Sequence, residues 1–537
     1  MFHSFGEYGK AKEYLEKALT INKEIGDRNG EASSYGDLGT VFHSLGEYGK
    51  AQEYHEKALA IRKKIGDRKG EAADYGNLGA VFRSLGQYGK AQEYLEKALA
   101  IKKEIGDRNG EASCYGNLGT VFDSLGEYGK AQEYLEKALA IRKEFGDIKG
   151  EAADYGNLGT VFRSLGQYGK ANEHLEKALA IRKEIGDRNG EASCYGNLGT
   201  LFHSLGEYGK AQEYLEKALA VRKEIGDKKG EAADYGNLGT VFRSLGEYGK
   251  SKEYLGKALA IHKEIGDKNG EASSYVNLGT VLDSLGEYGK AQEYHKKGLA
   301  ITKEIGNREG EASCHGNLGA VFHSLGEYGK AQEYFEKALA MGKEIGNREL
   351  EASCYGNLGT VFRSLGEYGK ARKYYNEALG ISKDSGNVEA EIRIQANLAF
   401  SNVMEGDTEE TLSNLLDCVN KFENMRVLIK EYDELKIFVS DEHATPFRIL
   451  SEVLCAIGNP TEALCVEELR RGRALAELLS AKYCVESQVS GNLLSWVDIE
   501  RIIGQGKNAF ASTFLTFLIA FFCGISNLRK RHCLYDK

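Results

Sequence analysis

The clearest deficit in this sequence is proline, which occurs twice in 537 residues, at Pro446 and Pro460. The first 445 residues therefore contain no proline at all. Long helices are compatible with such a stretch, because an internal proline breaks helical hydrogen bonds, whereas an all-β chain with many turns rarely lacks proline. The deficit favours an all-α fold.

A basic field and a disulfide framework are also missing. The net charge is −9, with Lys and Arg interspersed among Asp and Glu, so nucleic acid is not expected as a partner. The ten cysteines form no CxxC pair and no secretory signal opens the sequence. Free thiols in a reducing compartment, the cytoplasm, are therefore predicted.

Recognisable catalytic motifs are absent as well. The sequence contains no phosphate-binding loop, no HExxH and no nucleophile motif in a suitable context. A non-enzymatic protein without cofactor or metal is predicted. Four cysteines recur at equivalent positions, repeats apart, and are interpreted as packing thiols rather than metal ligands: Cys114, Cys194, Cys314 and Cys354.

What the chain has in abundance is glycine, with 66 residues placed at regular intervals. From Met1 to about residue 400 the sequence aligns with itself every 40 residues, without an insertion. A fixed period of this length indicates a stacked repeat protein. Such an array has no single core to saturate, so the three or four globular domains that the length alone suggests are not expected.

Each repeat contains two amphipathic helices, here named helix A and helix B. In residues 68–107 the segment LGQYG separates two apolar stripes of helical spacing. Gly106 is predicted to end helix B, and Asp107 to cap the next helix A with Glu111 in its first turn. The two stripes are Ala72, Tyr75, Leu78, Gly79, Phe82 and Leu85, then Ala91, Tyr94, Leu95, Ala98, Leu99, Ile101 and Ile105.

The pattern Tyr75-x2-Leu78-Gly79-x2-Phe82, followed by Ala91-x3-Leu95 and Ala98, resembles the tetratricopeptide repeat (TPR). The resemblance covers about residues 1–427, although the unit has 40 residues rather than 34 and lacks the usual closing proline. The segments YGNLG and EIGDR are most similar to Pins/LGN-type adaptors. The resemblance implies an all-α fold, a right-handed superhelix of antiparallel helix pairs, that acts as a scaffold or adaptor for peptide segments of other proteins. No GoLoco-like segment is present, so a role in G-protein signalling is not transferred.

The TPR resemblance assigns different roles to two helical glycines. Gly79 occupies the family's small-residue position, where neighbouring helices approach closely. Gly76 and its equivalents fall where the family usually carries a larger side chain facing the concave groove, so they are interpreted as emptying that groove. The alternative is that they only ease helix packing.

The resemblance also places two rows of helix A residues on the concave surface. One is an amide ladder, which in relatives hydrogen-bonds the backbone of a bound extended peptide: Asn77, Asn117, Asn157, Asn197, Asn237, Asn277, Asn317 and Asn357. The second, a charged row six residues further on, changes from repeat to repeat: Arg83, Asp123, Arg163, His203, Arg243, Asp283, His323 and Arg363. An amide suits a peptide group and an arginine suits a carboxylate, so the predicted ligand is a peptide with acidic residues. The alternative is neutral drift on a solvated face.

The domain prediction is an array over 1–427, degenerate TPR-like or linker helices over 428–490, and a tail over 491–537. Residues 461–475, TEALCVEELRRGRAL, resemble the segment that joins TPR arrays to caspase-like CHAT domains. The alternative function is therefore the regulatory TPR arm of a CHAT protein. The remaining sequence is too short for that catalytic domain, so no catalysis is carried over.

The tail contains 21 consecutive uncharged residues, 508–528, rich in Phe and Leu. A segment of this length can span a bilayer, which predicts a tail-anchored membrane protein. The alternative is an irregular terminus. Met1-Phe2 lies inside a helix A, which is consistent with a fragment of a longer gene product.

Overall fold

The computed structural model describes residues 8–405 and a few residues between 450 and 467. By contacts the chain divides into two units, Met1–Glu442 and His443–Lys537. The boundaries predicted at residues 427 and 490 and the apolar segment 508–528 lie outside the described residues. Among the helices that are described, none combines the length and apolarity needed to cross a membrane.

Residues 8–405 form twenty consecutive helices that pair as predicted, and no strand occurs in that range. The B helices are α1 (Tyr8–Glu24), α3 (Tyr48–Ile65), α5 (Tyr88–Glu104), α7 (Tyr128–Phe145), α9 (Tyr168–Glu184), α11 (Tyr208–Ile225), α13 (Tyr248–Ile265), α15 (Tyr288–Ile305), α17 (Tyr328–Ile345) and α19 (Tyr368–Ser385). The A helices are α2 (Arg28–Ser44), α4 (Arg68–Ser84), α6 (Arg108–Ser124), α8 (Ile148–Ser164), α10 (Arg188–Ser204), α12 (Lys228–Ser244), α14 (Lys268–Ser284), α16 (Arg308–Ser324), α18 (Arg348–Ser364) and α20 (Val388–Met404).

The predicted helix ends are confirmed by their local geometry. The side chain of Asp107 accepts a hydrogen bond from the backbone N–H of Gly110 at 2.8 Å, so it caps α6. Gly106 adopts a φ of 71° just after α5, a conformation that side chains with a Cβ rarely adopt. The same cap and the same turn recur along the array.

The core of each repeat lies between its A and B helices and the next A helix. Leu78, Ala91 and Leu95 are buried, in agreement with the predicted apolar stripes, whereas Ile105 at the end of the second stripe is 39% exposed. A Cβ added at Gly79 would lie 2.6 Å from Cγ of Leu95, so this glycine is required by helix packing.

The A helices form the inner layer of the curved array. Each A helix packs between two B helices and also contacts the A helix of the next repeat. A curved stack brings its inner elements closer together than its outer ones. The concave surface is therefore made by the A helices, as the TPR resemblance implied.

Successive turns of the array touch each other. The hydroxyl of Tyr128 donates a hydrogen bond to Oε2 of Glu349 at 3.0 Å, across 221 residues or about five and a half repeats of 40 residues. The backbone N–H of Arg348 also donates to the carbonyl oxygen of Leu125 at 3.0 Å. One turn of the superhelix therefore takes about five and a half repeats, and the next turn rests on it.

Candidate peptide-binding groove

The amide ladder lies on the inner helices and is accessible. Asn77, Asn117 and Asn277 are exposed, and the other members are half-buried. Among the described residues, no side-chain hydrogen bond engages the amides of Asn157, Asn197 or Asn237. Each of these asparagines can therefore offer one donor group and one acceptor to a ligand. The half-buried members are Asn157, Asn197, Asn237, Asn317 and Asn357.

The second helical glycine borders open space in half of the repeats. No heavy atom lies within 4 Å of a Cβ added at Gly76, and the same holds at Gly156, Gly236, Gly316 and Gly356. These positions therefore do not need glycine for helix packing. Open space beside the ladder is what a groove-facing position requires.

The charged row is fixed by contacts to the following repeat. Nε2 of His203 lies 2.9 Å from Oγ of Ser244, and the guanidinium of Arg163 donates to Oγ of Ser204 at 3.4 Å. At the end of the array, Arg363 donates to Oδ1 of Asn397, the next asparagine of the ladder, at 2.9 Å. The charged row and the amide ladder are therefore adjacent on one face. Equivalent contacts to serine are made by His43 and His323.

Burial moderates the charge of this row. It raises the pKa of Asp123 to about 6, although the guanidinium of Arg163 opposes the shift, and it raises the pKa of Asp283. His43 holds the equivalent position one repeat before Arg83, and burial, with Lys229 and Arg83 nearby, lowers its pKa to about 4. At neutral pH His43 is therefore uncharged, whereas Asp123 is still mostly ionised.

Part of the charged row is engaged by the protein itself. The positive charge of Arg83 interacts with Tyr88 and Glu309. That of Arg163 interacts with Tyr168, whose hydroxyl donates a hydrogen bond to Glu389. Glu309 and Glu389 belong to the next superhelical turn. These two arginines therefore already have acidic neighbours within the protein.

Sequence reasoning missed a buried ion pair in alternate repeats. Asp154 is 1% exposed, and its Oδ2 lies 2.8 Å from Nε of Arg142 on the preceding B helix. Burial raises the pKa of Asp154 to about 7, against the attraction of Arg142. The equivalent pairs are Arg62 with Asp74 and Arg222 with Asp234. The signal was visible as Ala-Asp recurring every 80 residues, with an arginine twelve residues before each aspartate.

The predicted packing role of the repeated cysteines agrees with their environment. All four are buried, and burial raises the thiol pKa of Cys114 to about 11 and of Cys354 to about 12. Such thiols are not poised to react or to bind metal. Within the described part of the chain, no cluster of His, Cys, Asp or Glu could hold a metal ion.

Comparison with known families assigns the chain to one family. The family described as "Tetratricopeptide repeat" matches residues 1–64, 71–144, 151–224, 231–304 and 306–384. No curated protein matches. The finer similarities, to Pins/LGN-type adaptors and to TPR–CHAT proteins, are not supported by these comparisons.

Three solved structures are similar to parts of this chain at low sequence identity. BtubC (BKLC) from P. vanneervenii is 23% identical, covering 40% of this chain and 90% of that one, with a TM-score of 0.34. A Rap protein complexed with Competence and Sporulation Factor is 16% identical over 66% and 99%, with a TM-score of 0.45. The STAND protein PH0952 from Pyrococcus horikoshii, which has a TPR sensor, is 17% identical over 73% and 53%, with a TM-score of 0.38.

Proposed function

Since this chain belongs to the tetratricopeptide repeat family, we propose that it is a non-enzymatic interaction scaffold that holds an extended peptide segment in its concave groove. The observation that carries the proposal is the ladder of accessible asparagines on successive inner helices, with amides at Asn157, Asn197 and Asn237 that no described side chain engages. Open space at Gly156 and Gly236 leaves room for a backbone beside them.

The spacing of the ladder fits an extended chain. Packed helices lie roughly 8–10 Å apart, and an extended peptide rises about 3.3 Å per residue. Each repeat therefore faces about three peptide residues, so one amide can bond one peptide group in every three. Arg243, which lies next to the ladder, favours a segment with acidic side chains.

The test compares two sets of variants of the full chain as bait in a cell extract. Asn157, Asn197, Asn237 and Asn277 are changed to Ala in the first. The matched control changes four amides of the outer B helices to Ala: Gln52, Gln92, Gln132 and Gln212. Loss of one peptide hydrogen bond costs on the order of 1 kcal/mol, about fivefold in Kd. We expect the ladder variant to lose partners that the control retains, with unchanged circular dichroism; equal retention by both would overturn the proposal.

The cytoplasmic location and the membrane anchor through residues 508–528 stay predictions. Both depend on segments outside the described residues. Carbonate extraction of the full chain, compared with a chain ending at residue 506, distinguishes a tail-anchored scaffold from one that is not embedded in a bilayer.

A further inference from the structure

The contact between superhelical turns forms a continuous line, here called the seam. On one side are the turns that join helix A to helix B, beginning at Leu45, Leu85, Leu125 and Leu165. On the other are the turns that join helix B to helix A, beginning at Gly266, Gly306, Gly346 and Gly386. At each of the four places, Cδ2 of the leucine lies 3.2–3.9 Å from the Cβ position of the opposing glycine.

Polar contacts reinforce the seam at its centre. The backbone N–H of Arg308 donates to the carbonyl oxygen of Leu85 at 3.1 Å. The hydroxyls of three successive tyrosines each donate to a glutamate of the next turn: Tyr88 to Glu309, Tyr128 to Glu349 and Tyr168 to Glu389. Beside the contact between Leu45 and Gly266, the amine of Lys229 donates a hydrogen bond to the carbonyl oxygen of Ser44 at 3.4 Å.

Three of the four helix B to helix A turns in the seam differ in sequence from the turns of the earlier repeats. The turns of the earlier repeats, including the first seam turn at 266, read GDRNG, GDRKG, GDIKG, GDKKG or GDKNG, whereas the three later seam turns at 306, 346 and 386 read GNREG, GNREL and GNVEA. The new glutamates are the ones that meet the tyrosines. The new Asn347 donates through Nδ2 to Oε1 of Glu309 at 3.1 Å, which an aspartate could not do.

Burial is greatest at the two central places of the seam. Leu85 is 4% exposed and Leu125 is 7% exposed, whereas the equivalent Leu285 and Leu325 of the later turn are 41% and 40% exposed. The two pairs occupy the same position in near-identical repeats. The difference is therefore the surface that the neighbouring superhelical turn covers.

This proposal rests on the proposed function and deepens it. We propose that the seam closes the groove to lateral entry, so that the groove selects peptide segments with a free end, which enter along the axis of the superhelix. A superhelix with separated turns can be entered from the side. Where its turns touch at four successive places, the part of the concave surface behind the seam, within residues 8–405, can be reached only from the ends.

The interior is also narrow. Five and a half inner helices at a spacing of ~9 Å give a circumference of about 50 Å and a radius near 8 Å at the helix axes. Subtracting a helix radius of about 5 Å leaves a passage ~6 Å wide. An extended chain is about 4.8 Å wide across its backbone and about 10 Å across its side chains, so a single chain fits only where the inner helices carry small residues, and a folded loop does not fit. The small residues at Gly76 and its equivalents widen this passage.

The experiment presents the full chain with two libraries, called pools, that carry the same set of randomised 15-residue segments. In the first pool the segment is a linear peptide with free ends. In the second it is anchored at both ends in a surface loop of a folded carrier protein. We expect the linear pool to be captured at least tenfold better than the anchored pool. Equal capture of the two pools would overturn the proposal while leaving the groove function intact.

A seam variant and its matched control complete the test. Leu85→Glu with Leu125→Glu introduces two charges into the buried seam, whereas Leu285→Glu with Leu325→Glu places them at equivalent exposed positions. We expect the seam variant alone to capture the anchored pool as well as the linear one, and to show a larger maximum dimension in small-angle X-ray scattering. If no pool is captured by any form, the proposed function fails. The scattering measurement then tests groove closure independently of peptide capture. An unchanged maximum dimension in the seam variant overturns the proposed closure.

Discussion

Gly159 lies directly against Leu175: a Cβ added to the glycine would be 2.6 Å from Cγ of the leucine and 3.2 Å from the carbonyl oxygen of Ala171. Gly156, one turn earlier on the same helix, has no heavy atom within 4 Å of its Cβ position. Within a single helix, Gly159 is therefore required by packing, whereas Gly156 borders open space.

We expect Gly159→Ala to destabilise the array by roughly 1–3 kcal/mol, because the added methyl group overpacks a buried contact. Gly156→Ala is the matched control and is expected to gain up to about 1 kcal/mol, because alanine is the better helix former. Urea unfolding of the two variants measures the difference. Equal effects at the two positions would contradict the assignment.

The buried aspartates predict a pH dependence. Burial raises the pKa of Asp74, Asp154 and Asp234 to about 7, from a usual value of 3.8. Between these two values the folded state binds more protons than the unfolded state. The stabilisation from these groups is therefore fully present below pH 4 and is lost as the pH rises through 7.

The variant with all three changed to Asn isolates this contribution. We expect the unfolding free energy of the wild type, relative to this variant, to fall between pH 5 and pH 7.5. Buried His55 and His295, whose pKa is lowered to about 4, act in the opposite direction but are present in both proteins. Urea titrations at the two pH values provide the measurement, and a difference that does not change with pH would show that the aspartates stay ionised.

The repeat and its two helices could be predicted from sequence because each repeat encodes its own local signals. The cap at Asp107, the turn glycine Gly106 and the close approach at Gly79 all depend on residues within one 40-residue unit. Comparing ten copies inside one chain also identified the positions that vary. The all-α solenoid was therefore predictable almost to the helix ends.

The seam was not predicted, because it joins residues 221 positions apart and depends on the curvature of the whole array. Small angles between neighbouring repeats accumulate into that curvature, and no single repeat encodes it. The change from Asp to Asn and the new glutamate at 307–309 were visible, but their meaning required a partner five and a half repeats away. The residues predicted for the groove belong to the A helices, which form the inner layer, whereas their role in binding and their ligand stay predictions.

The tyrosines of the seam provide a prediction with an internal control. Tyr88, Tyr128 and Tyr168 changed to Phe lose their hydrogen bonds to the glutamates of the next turn, of which Glu309 is half-buried. Each change is expected to cost about 1 kcal/mol of unfolding free energy. The same substitution at Tyr248, Tyr288 and Tyr328, which are half-buried in the later turn, is expected to change it by less than about 0.5 kcal/mol. Thermal unfolding of the two triple variants compares them, and similar losses in both would show that the tyrosines act within their own repeats.

The last prediction concerns Asn347, which caps α18 through Oδ1 and donates through Nδ2 to Glu309. An aspartate caps the equivalent helices of the earlier repeats, so Asn347→Asp preserves the cap. The substitution would, however, remove the hydrogen bond that this side chain donates to Glu309 and place a second carboxylate beside that glutamate. Burial already raises the pKa of Glu309, and the charge of Glu349 adds to that shift.

We therefore expect Asn347→Asp to destabilise the seam by about 1–3 kcal/mol at neutral pH, with a smaller loss at pH 5, where the carboxyl groups are more often protonated. The same change in a Glu309→Gln background is expected to cost little, because a neutral amide at 309 can donate to the new carboxylate. A double-mutant cycle by urea unfolding measures this coupling between the two sites. A penalty that is the same in both backgrounds would mean that the asparagine serves only as a helix cap, and that the turn at 346–350 carries no specialisation for the contact between superhelical turns.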